Sequence, residues 1–475
     1  MGANTTGLML LFTQLIGVLN LAELGVATAT ASLLYREISK GNTDRVSIII
    51  SNTKRIYDKI FIFFIILGFF LGLGVFSTID NVSNIEYSFW YWMLFVLNTS
   101  ISFKFSHYSI LLIANQKYYK SRCIQGSCKI ITSIIQILSI VILKNFFIYI
   151  LIETAFNIIQ WYLFGKCSKR EYSYINFNNK THDNSIKEKI SKVFFHKVGG
   201  VLVFNTDYII ISKFLTLPIV TAYASYLMIF QAFTMLTNIL VNSLTASVGD
   251  FLHKKTTTEK YALWNQLRAL FFYFSTVISI TTLLTINSFI SLWIGEDYVQ
   301  NKETTLLLIF NLYILLSRPA VDIFKNASGH FNDTLLPILE GIINITISLL
   351  LVSRYGLNGV IIGTCASNIL IIVIAKPYYL FKKIFPAKSG VLMIVNQAKY
   401  FIYTAIIALI TNELSSYINI SNFIEWLGFS ILLIILISAV SFFIFLFDND
   451  FRKILPRLYS TVKRKNDRIN NNSNI

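Results

Sequence analysis

Residues 60–79 read IFIFFIILGFFLGLGVFSTI, a run of twenty residues that contains no charged side chain. A helix of about 20 apolar residues spans the roughly 30 Å hydrocarbon core of a bilayer. Lys59 and Asp80 close the run at its two ends. The run therefore predicts a transmembrane helix, and its repetition along the chain predicts a polytopic membrane protein.

The composition agrees with that prediction. Of the 475 residues, 55% are hydrophobic and only 14% are charged, whereas soluble domains carry roughly 25% charged residues. Backbone polar groups in lipid must be satisfied within the segment, so long apolar runs indicate helices, and the alternation of an outer-membrane barrel is absent. We expect an all-α protein with about thirteen transmembrane helices, near 7–34, 59–79, 88–114, 123–143, 145–165, 193–214, 217–247, 269–293, 304–325, 334–353, 357–380, 398–413 and 424–447.

The distribution of basic residues predicts the orientation. Counting alternate connections, one set and the C-terminal tail together hold 33 of the 41 lysines and arginines, while the opposite set holds four. Cytoplasmic loops are rich in Lys and Arg, so the first set is expected to be cytoplasmic. The formal net charge of +17 then reflects topology, and we expect no nucleic-acid partner.

The same charge rule places residue 1 on the external, non-cytoplasmic side of the membrane. No lysine or arginine precedes Arg36, so no signal peptide explains that start. We therefore expect that a full-length version has a further N-terminal helix, which makes fourteen.

Three predicted spans carry polar side chains that fall on one face at 100° per residue. An ionisable group inside a membrane costs about 2.5–3.5 kcal/mol on insertion scales and has to face protein or water. The aligned residues are Ser100, Lys104 and His107 in the first span, His196 and Asp207 with Lys197 beside them in the second, and Arg318, Asp322 and Lys325 in the third.

A purely structural role is an alternative explanation for the polar residues of these helix faces. Arg318 and Asp322 are four residues apart, the spacing of a helical ion pair, and Lys197 lies close enough to the cytoplasmic end of its span to snorkel to the interface. Lys104 lies deeper, which favours function. Pro319 predicts a kink beside Arg318. The four cysteines follow no metal or redox spacing, and we expect no metal site and no catalytic residue.

Several stretches resemble the Wzx-type polysaccharide-biosynthesis flippases of the superfamily that also contains the MATE exporters. The segments that carry the resemblance are Gly7-Leu8, LAELGV at 21–26, LYR at 34–36, HKVG at 196–199, NTDYIIIS at 205–212, AYASY at 222–226, RP at 318–319, ASG at 327–329, PILE at 337–340, Asn344, Ser348, YGLNGV at 355–360 and IGT at 362–364.

The resemblance implies two six-helix lobes around a central cavity, followed by two additional helices. On this basis we expect an N-terminal lobe over 1–165 with five helices, a basic cytoplasmic linker over 166–192, and a C-terminal lobe over 193–385. The two additional helices would lie in 396–447 and a basic cytoplasmic tail in 448–475. In the family, the segment that resembles Gly7-Leu8 usually begins the second helix, which agrees with a missing first one.

The function implied is the flipping of undecaprenyl-diphosphate-linked oligosaccharide repeat units across the bacterial cytoplasmic membrane for O-antigen, capsule or exopolysaccharide assembly. The partners would be this lipid-linked oligosaccharide, the bilayer and other membrane proteins of polysaccharide assembly. We expect Lys104, Arg318 and Lys197 to contact the diphosphate, because charge-assisted hydrogen bonds to such an anion are strong. Asp207, Asp322 and His196 would serve as coupling groups or charge partners.

Two other function classes remain open. A MATE-type cation or drug antiporter would require a cavity rich in carboxylates, against which the intramembrane cations count. A membrane-embedded oligosaccharide polymerase or ligase would require a large external loop, and the external connections here are short. No nucleotide-binding loop or nucleophile elbow occurs, so we expect no enzyme and no cofactor. A proton or sodium gradient, or the flow of substrate, would then supply the energy.

Overall fold

The structure is a computed structural model that describes residues 3–20, 26–78, 85, 87–115, 117–177, 179, 181, 206–330, 333, 335–412 and 420–456. All regular secondary structure within these ranges is helical. The chain divides into two compact units, Met1–Thr221 and Ala222–Ile475, which are described separately below.

The first unit contains seven described helices and the beginning of an eighth. They are α1 (Ala3–Leu19), α2 (Val26–Ser39), α3 (Thr43–Thr78), α4 (Ser88–Ala114), α5 (Tyr118–Leu143), α6 (Phe146–Glu171), α7 (Thr206–Phe214) and the start of α8 (Leu217–Lys254). Helices α3 and α4 pack closely, and the Trp92 indole of α4 donates a hydrogen bond to the carbonyl oxygen of Gly68 in α3 at 2.8 Å. A side-chain donor thus ties two spanning helices together where lipid offers no partner.

The second unit contains the rest of α8 and the helices that follow it. These are α9 (Thr257–Ile294), α10 (Lys302–Ser317), α11 (Pro319–Ser328), α12 (Leu335–Tyr355), α13 (Leu357–Ser367), a π-helical segment (Asn368–Ala375), α14 (Lys376–Ile384), α15 (Gly390–Asn412) and α16 (Phe423–Phe445). A short 3-10 turn, Glu296–Tyr298, lies between α9 and α10.

Among the described residues, ten helices are long and apolar enough to cross a membrane. This confirms the all-helical, multi-pass membrane fold. Helix α4 coincides with the predicted span 88–114. Its lysine and hydroxyl side chains lower its hydropathy, so it is not among these ten helices. The kink predicted at Pro319 coincides with an interruption of the helix, because α10 ends at Ser317 and α11 begins at the proline.

Three sequence-based boundaries were wrong. The predicted span 7–34 is two helices, α1 and α2. The predicted loop 36–59 is largely helical, since α3 begins at Thr43, and the loop 250–268 shrinks to the short link between α8 and α9. At 1.5 Å per residue, α9 is about 57 Å long. It therefore extends well past a hydrocarbon core of roughly 30 Å, because a helix that satisfies its own backbone can continue into water with charged side chains.

Close helix packing in the second unit depends on two glycines of α13. A Cβ atom on Gly359 would lie 2.5 Å from the carbonyl carbon of Leu351 in α12, and one on Gly363 would lie 2.9 Å from the carbonyl oxygen of Asn344. Only hydrogen fits in these gaps, so the two backbones approach as small residues allow in membrane helices. The approach also lets the Asn344 Nδ2 group donate to Thr364 Oγ1 at 3.0 Å.

A proline explains a polar contact next to the π-helical segment. Pro377 has no N–H, so the carbonyl oxygen of Val373 loses its helical donor. Gln397 of α15 supplies the replacement, donating from Nε2 to Val373 O at 2.7 Å. The other end of the same amide accepts a 2.7 Å hydrogen bond from Nη2 of Arg268, a guanidinium buried in α9. One glutamine therefore satisfies two buried groups on two neighbouring helices.

Candidate functional site

Charged side chains of the second unit line a cleft where α11 ends and α12 begins, beside the start of α14. Its volume is about 110 Å³. These chain segments all lie at one end of the helices, the end that the distribution of basic residues predicts to be cytoplasmic. The polar residues lining the cleft are Arg318, Asp322, Lys325, His330, Asp333, Lys376 and Tyr379.

Three ion pairs organise these charges. Arg318 donates from Nε to Oδ2 of Asp322 at 2.7 Å, which is the i,i+4 pair that the sequence predicts. Lys325 Nζ lies 2.5 Å from Oδ2 of Asp333. The third pair joins Lys376 of α14 to Glu340 of α12, 2.7 Å apart. Each cation of the cleft therefore has a carboxylate partner.

Local backbone features bring these groups together. Pro319 stands at the first position of α11, where its fixed φ and missing N–H are tolerated. Gly329 ends the helix with a left-handed φ of 71°, a conformation that glycine adopts without steric cost. Asp333, close before α12 in the sequence, lies within reach of Lys325 near the end of α11.

The pairs differ in exposure, and the difference bears on what each can do. The side chains of Arg318 and Asp322 are 31% and 27% exposed. Those of Lys376 and Glu340 are 14% and 4% exposed. The first pair can exchange partners with a solute that enters the cleft, whereas the second is enclosed by protein and contributes mainly to structure.

Lys104 of the first unit has a different environment. Its side chain is exposed, and its Nζ lies 5.0 Å from the centroid of the Phe61 ring. Within the described residues no carboxylate lies within ion-pair distance of it. Lys104 stands ten residues before the end of α4 at Ala114, about 15 Å along the helix axis. Its depth in the predicted span 88–114 favours contact with water or protein over snorkelling to the interface.

The polar residues that the sequence aligns with Lys104 on one helix face differ from it in burial. Ser100 and His107 are 0% and 1% exposed, so these two side chains face the protein interior while Lys104 does not. Their buried position favours a packing role for both.

The remaining predicted site residues have different outcomes. Asp207 lies in the first described turn of α7 and is 6% exposed. His196 and Lys197 fall outside the residues that the structure describes. Lys104 and Arg318 belong to different units, so their shared contact with a substrate stays a prediction.

Sequence reasoning missed four members of the charged cleft. Lys376 lay at the end of the predicted span 357–380 without a predicted partner, Glu340 likewise had no predicted partner, and His330 and Asp333 were not singled out. The pairs Lys376–Glu340 and Lys325–Asp333 join residues of different helices or turns. The periodicity of one helix cannot reveal a pair between two helices. The only indication in the sequence is that Lys376 and Pro377 interrupt the end of an apolar run, which marks Lys376 as a charged residue beside a membrane span.

A second charged cluster connects the ends of α5 and α6. Lys117 and Lys120 both contact the carboxylate of Glu171. The hydrogen bond that Lys117 donates to the Glu171 carboxylate raises the pKa of Lys117 above its usual range. These groups are partly exposed, so water screens the attraction and their contribution to stability is small.

Comparison with known proteins identifies the fold. The chain is similar to the lipid II flippase MurJ in its inward closed conformation, with a TM-score of 0.65 and 15% sequence identity over 94% of this chain and 97% of that one. It is also similar to an inward-facing MATE-family multidrug transporter of the MOP superfamily, with a TM-score of 0.63 and 12% identity over 84% and 92% of the two chains.

A Vibrio cholerae MATE transporter in a bent form matches at a TM-score of 0.50 and 15% identity, over 82% of this chain and 89% of that one. No protein-family model and no curated protein matches the sequence. The structural similarities show that the chain shares the fold of these flippases and transporters, and the ten long apolar helices among its described residues indicate a multi-pass membrane protein.

Proposed function

We propose that this protein flips an undecaprenyl-diphosphate-linked oligosaccharide across the bacterial cytoplasmic membrane, as a Wzx-type member of the flippase superfamily. The observation that carries the proposal is Lys104, a cation deep in α4 without a carboxylate partner among the described residues. A lone ammonium group at that depth has to face water or an anionic ligand. A diphosphate is an anion of suitable charge.

The cleft of the second unit supports the same substrate class. A phosphate oxygen can replace Asp322 as the acceptor of the Arg318 guanidinium, since both are anionic acceptors of charge-assisted hydrogen bonds. The partial exposure of this pair makes the exchange sterically feasible. Lys325 stands in the same cleft and adds positive charge next to the exchange site.

The fold comparisons support a lipid-linked substrate more than a drug. MurJ is named as a lipid II flippase, and its match covers 94% of this chain, against 84% for the MATE transporter. A cation exporter also needs a carboxylate that is free to bind its substrate. In the cleft of the second unit, Asp322 and Asp333 already hold cations.

Direct transport measurement tests the proposal. The purified protein is reconstituted into liposomes with a fluorescent undecaprenyl-diphosphate-linked oligosaccharide, and translocation is followed by protection from an impermeant quencher. We expect translocation by the native protein. Lys104→Ala and Arg318→Ala, made separately, each remove a charged hydrogen bond worth about 1.5–3 kcal/mol, so substrate affinity should fall roughly ten- to a hundredfold.

The matched control is Lys302→Ala, since Lys302 is an exposed lysine at the start of α10 on the predicted external side. This variant should transport normally. Full activity of both Lys104→Ala and Arg318→Ala would contradict the assignment of these cations. Native protein that exports an organic cation and leaves the lipid in place would establish the MATE-type alternative instead.

A further inference from the structure

Three spanning helices of the first unit, α4, α5 and α6, enclose a second polar cleft with a volume of about 200 Å³. It is separate from the environment of Lys104, which lies against Phe61 of α3. The residues that matter for its chemistry are Asn98, Ser102, Lys129, Glu153, Asn157 and Gln160.

Two of these polar groups, Lys129 and Asn157, lie well inside helices α5 and α6. Lys129 stands eleven residues after the start of α5 and fourteen before its end, which places it about 17 and 21 Å from the two ends. Asn157 has the same position in α6. Lys129 also lies within the predicted span 123–143, and charged groups inside a span are confined to protein interiors or to water.

The two faces of α5 differ in polarity. At 100° per residue, Lys129, Thr132 and Gln136 fall on one side of the helix. The exposed side chains of Ile134 and Leu138 fall on the opposite side. The apolar side suits lipid, so the cleft opens on the side that lipid does not cover. This arrangement suits an aqueous cleft.

Part of the cleft is fixed by its own hydrogen bonds. The Asn157 Nδ2 group donates to the backbone oxygen of Asn98 at 2.8 Å, to its Oδ1 at 2.6 Å and to Ser102 Oγ at 3.0 Å. These contacts hold α4 and α6 together and orient the amides. Asn157 therefore acts first as a packing residue.

Other groups of the cleft are available to a ligand. The Gln160 side chain makes no hydrogen bond to any described residue, although it is partly buried. Lys129 and Glu153 form a loose pair, with Nζ and Oε1 4.0 Å apart and side chains 70% and 32% exposed. An amide, an ammonium and a carboxylate thus face the same small volume.

The charges and hydrogen-bonding groups of the cleft indicate which kind of ligand it suits. Lys129 and Glu153 cancel in charge, which disfavours both an anion and a cation. Amide groups donate and accept hydrogen bonds, as sugar hydroxyls do, and Phe156 adds an apolar surface to the same cleft. At about 30 Å³ per water molecule, the cleft holds roughly six or seven waters, which is room for one sugar ring.

We propose that this cleft binds one neutral sugar of the transported oligosaccharide, with Gln160, Lys129 and Glu153 as its hydrogen-bonding partners. The inference rests on the proposed function for the source of the sugar. It assigns sugar recognition to the first unit at a place distinct from Lys104.

The experiment compares two lipids, undecaprenyl-diphosphate-linked oligosaccharide and undecaprenyl diphosphate without sugar, for binding to the purified full chain. Gln160→Leu keeps the size of the side chain and removes its hydrogen bonds. We expect its affinity for the sugar-bearing lipid to fall roughly two- to tenfold, with unchanged affinity for the sugar-free lipid. The control is Gln125→Leu, in the first turns of α5 and outside the cleft, which should bind both lipids normally.

A second measurement tests the cleft itself. Gln160→Cys, in a background that lacks the four native cysteines, should react with a water-soluble thiol reagent. The sugar-bearing lipid should slow the reaction more than the sugar-free lipid does. Absence of reaction would overturn the aqueous cleft, and equal effects of Gln160→Leu on both lipids would overturn the sugar assignment. Native protein that binds neither lipid would contradict the proposed function, and this inference would fail with it.

Discussion

The ion pair between Lys376 and Glu340 allows a quantitative test of the charged cleft. Its atoms are 2.7 Å apart, and its side chains are 14% and 4% exposed. At an effective dielectric constant near 20, the attraction across that distance is about 6 kcal/mol before desolvation is subtracted. Glu340→Gln removes the carboxylate and leaves the ammonium group buried without its partner. Breaking a buried pair in this way costs about 3–5 kcal/mol.

Thermal unfolding of the purified protein in detergent measures that cost. For a unit of this size, 1 kcal/mol corresponds to about 2–4 °C in Tm, so we expect Glu340→Gln to lower the Tm by about 6–20 °C. The double variant Glu340→Met/Lys376→Met replaces the pair by apolar side chains and should recover most of the loss. Glu303→Gln, at an exposed position in α10, is the control and should unfold like the native protein. A native Tm for Glu340→Gln, or a double variant less stable than either single one, would refute the reasoning.

Three further predictions concern packing, hydrogen bonding and orientation. Gly363→Ala should lower the Tm, because its Cβ would meet the backbone of α12. The control Gly428→Ala has open space around its Cβ and should be neutral or slightly stabilising. Equal effects of the two substitutions on the Tm would contradict the close approach of α12 and α13. Gln397→Leu leaves the buried Arg268 guanidinium without its acceptor and should cost about 1–3 kcal/mol in chemical unfolding, so unchanged stability would contradict that contact. A single cysteine at position 179, in a background without the native cysteines, should resist an impermeant thiol reagent in intact cells, and labelling there would reverse the predicted topology.

Much of the fold could be predicted because the signals are local. Apolar runs such as 60–79 are long enough to identify helices one at a time, and the described helices follow them. Pro319 predicted a kink, since a proline removes a donor whatever surrounds it, and the helix is interrupted there. Boundaries such as the start of α3 at Thr43 were missed, because charged residues end a membrane segment without ending the helix.

The candidate site was predictable only in part. The Arg318–Asp322 pair follows from spacing along one helix, and it is present. The alignment of Lys104 with His107 also follows from spacing, but burial separates the two side chains. Helical periodicity specifies a direction from the axis and cannot say which neighbour occupies it.

The sequence by itself determined that this protein is a helical membrane protein, because the length and apolarity of each segment are properties of that segment alone. It also predicted which ends of the helices face the cytoplasm, through the basic residues beside them. Only the tertiary structure decided that Lys376 pairs with Glu340 and that Asn98, Asn157 and Gln160 line one cleft. The physical reason is that these contacts join different helices, and their distances depend on how tightly residues such as Gly359 let the backbones approach.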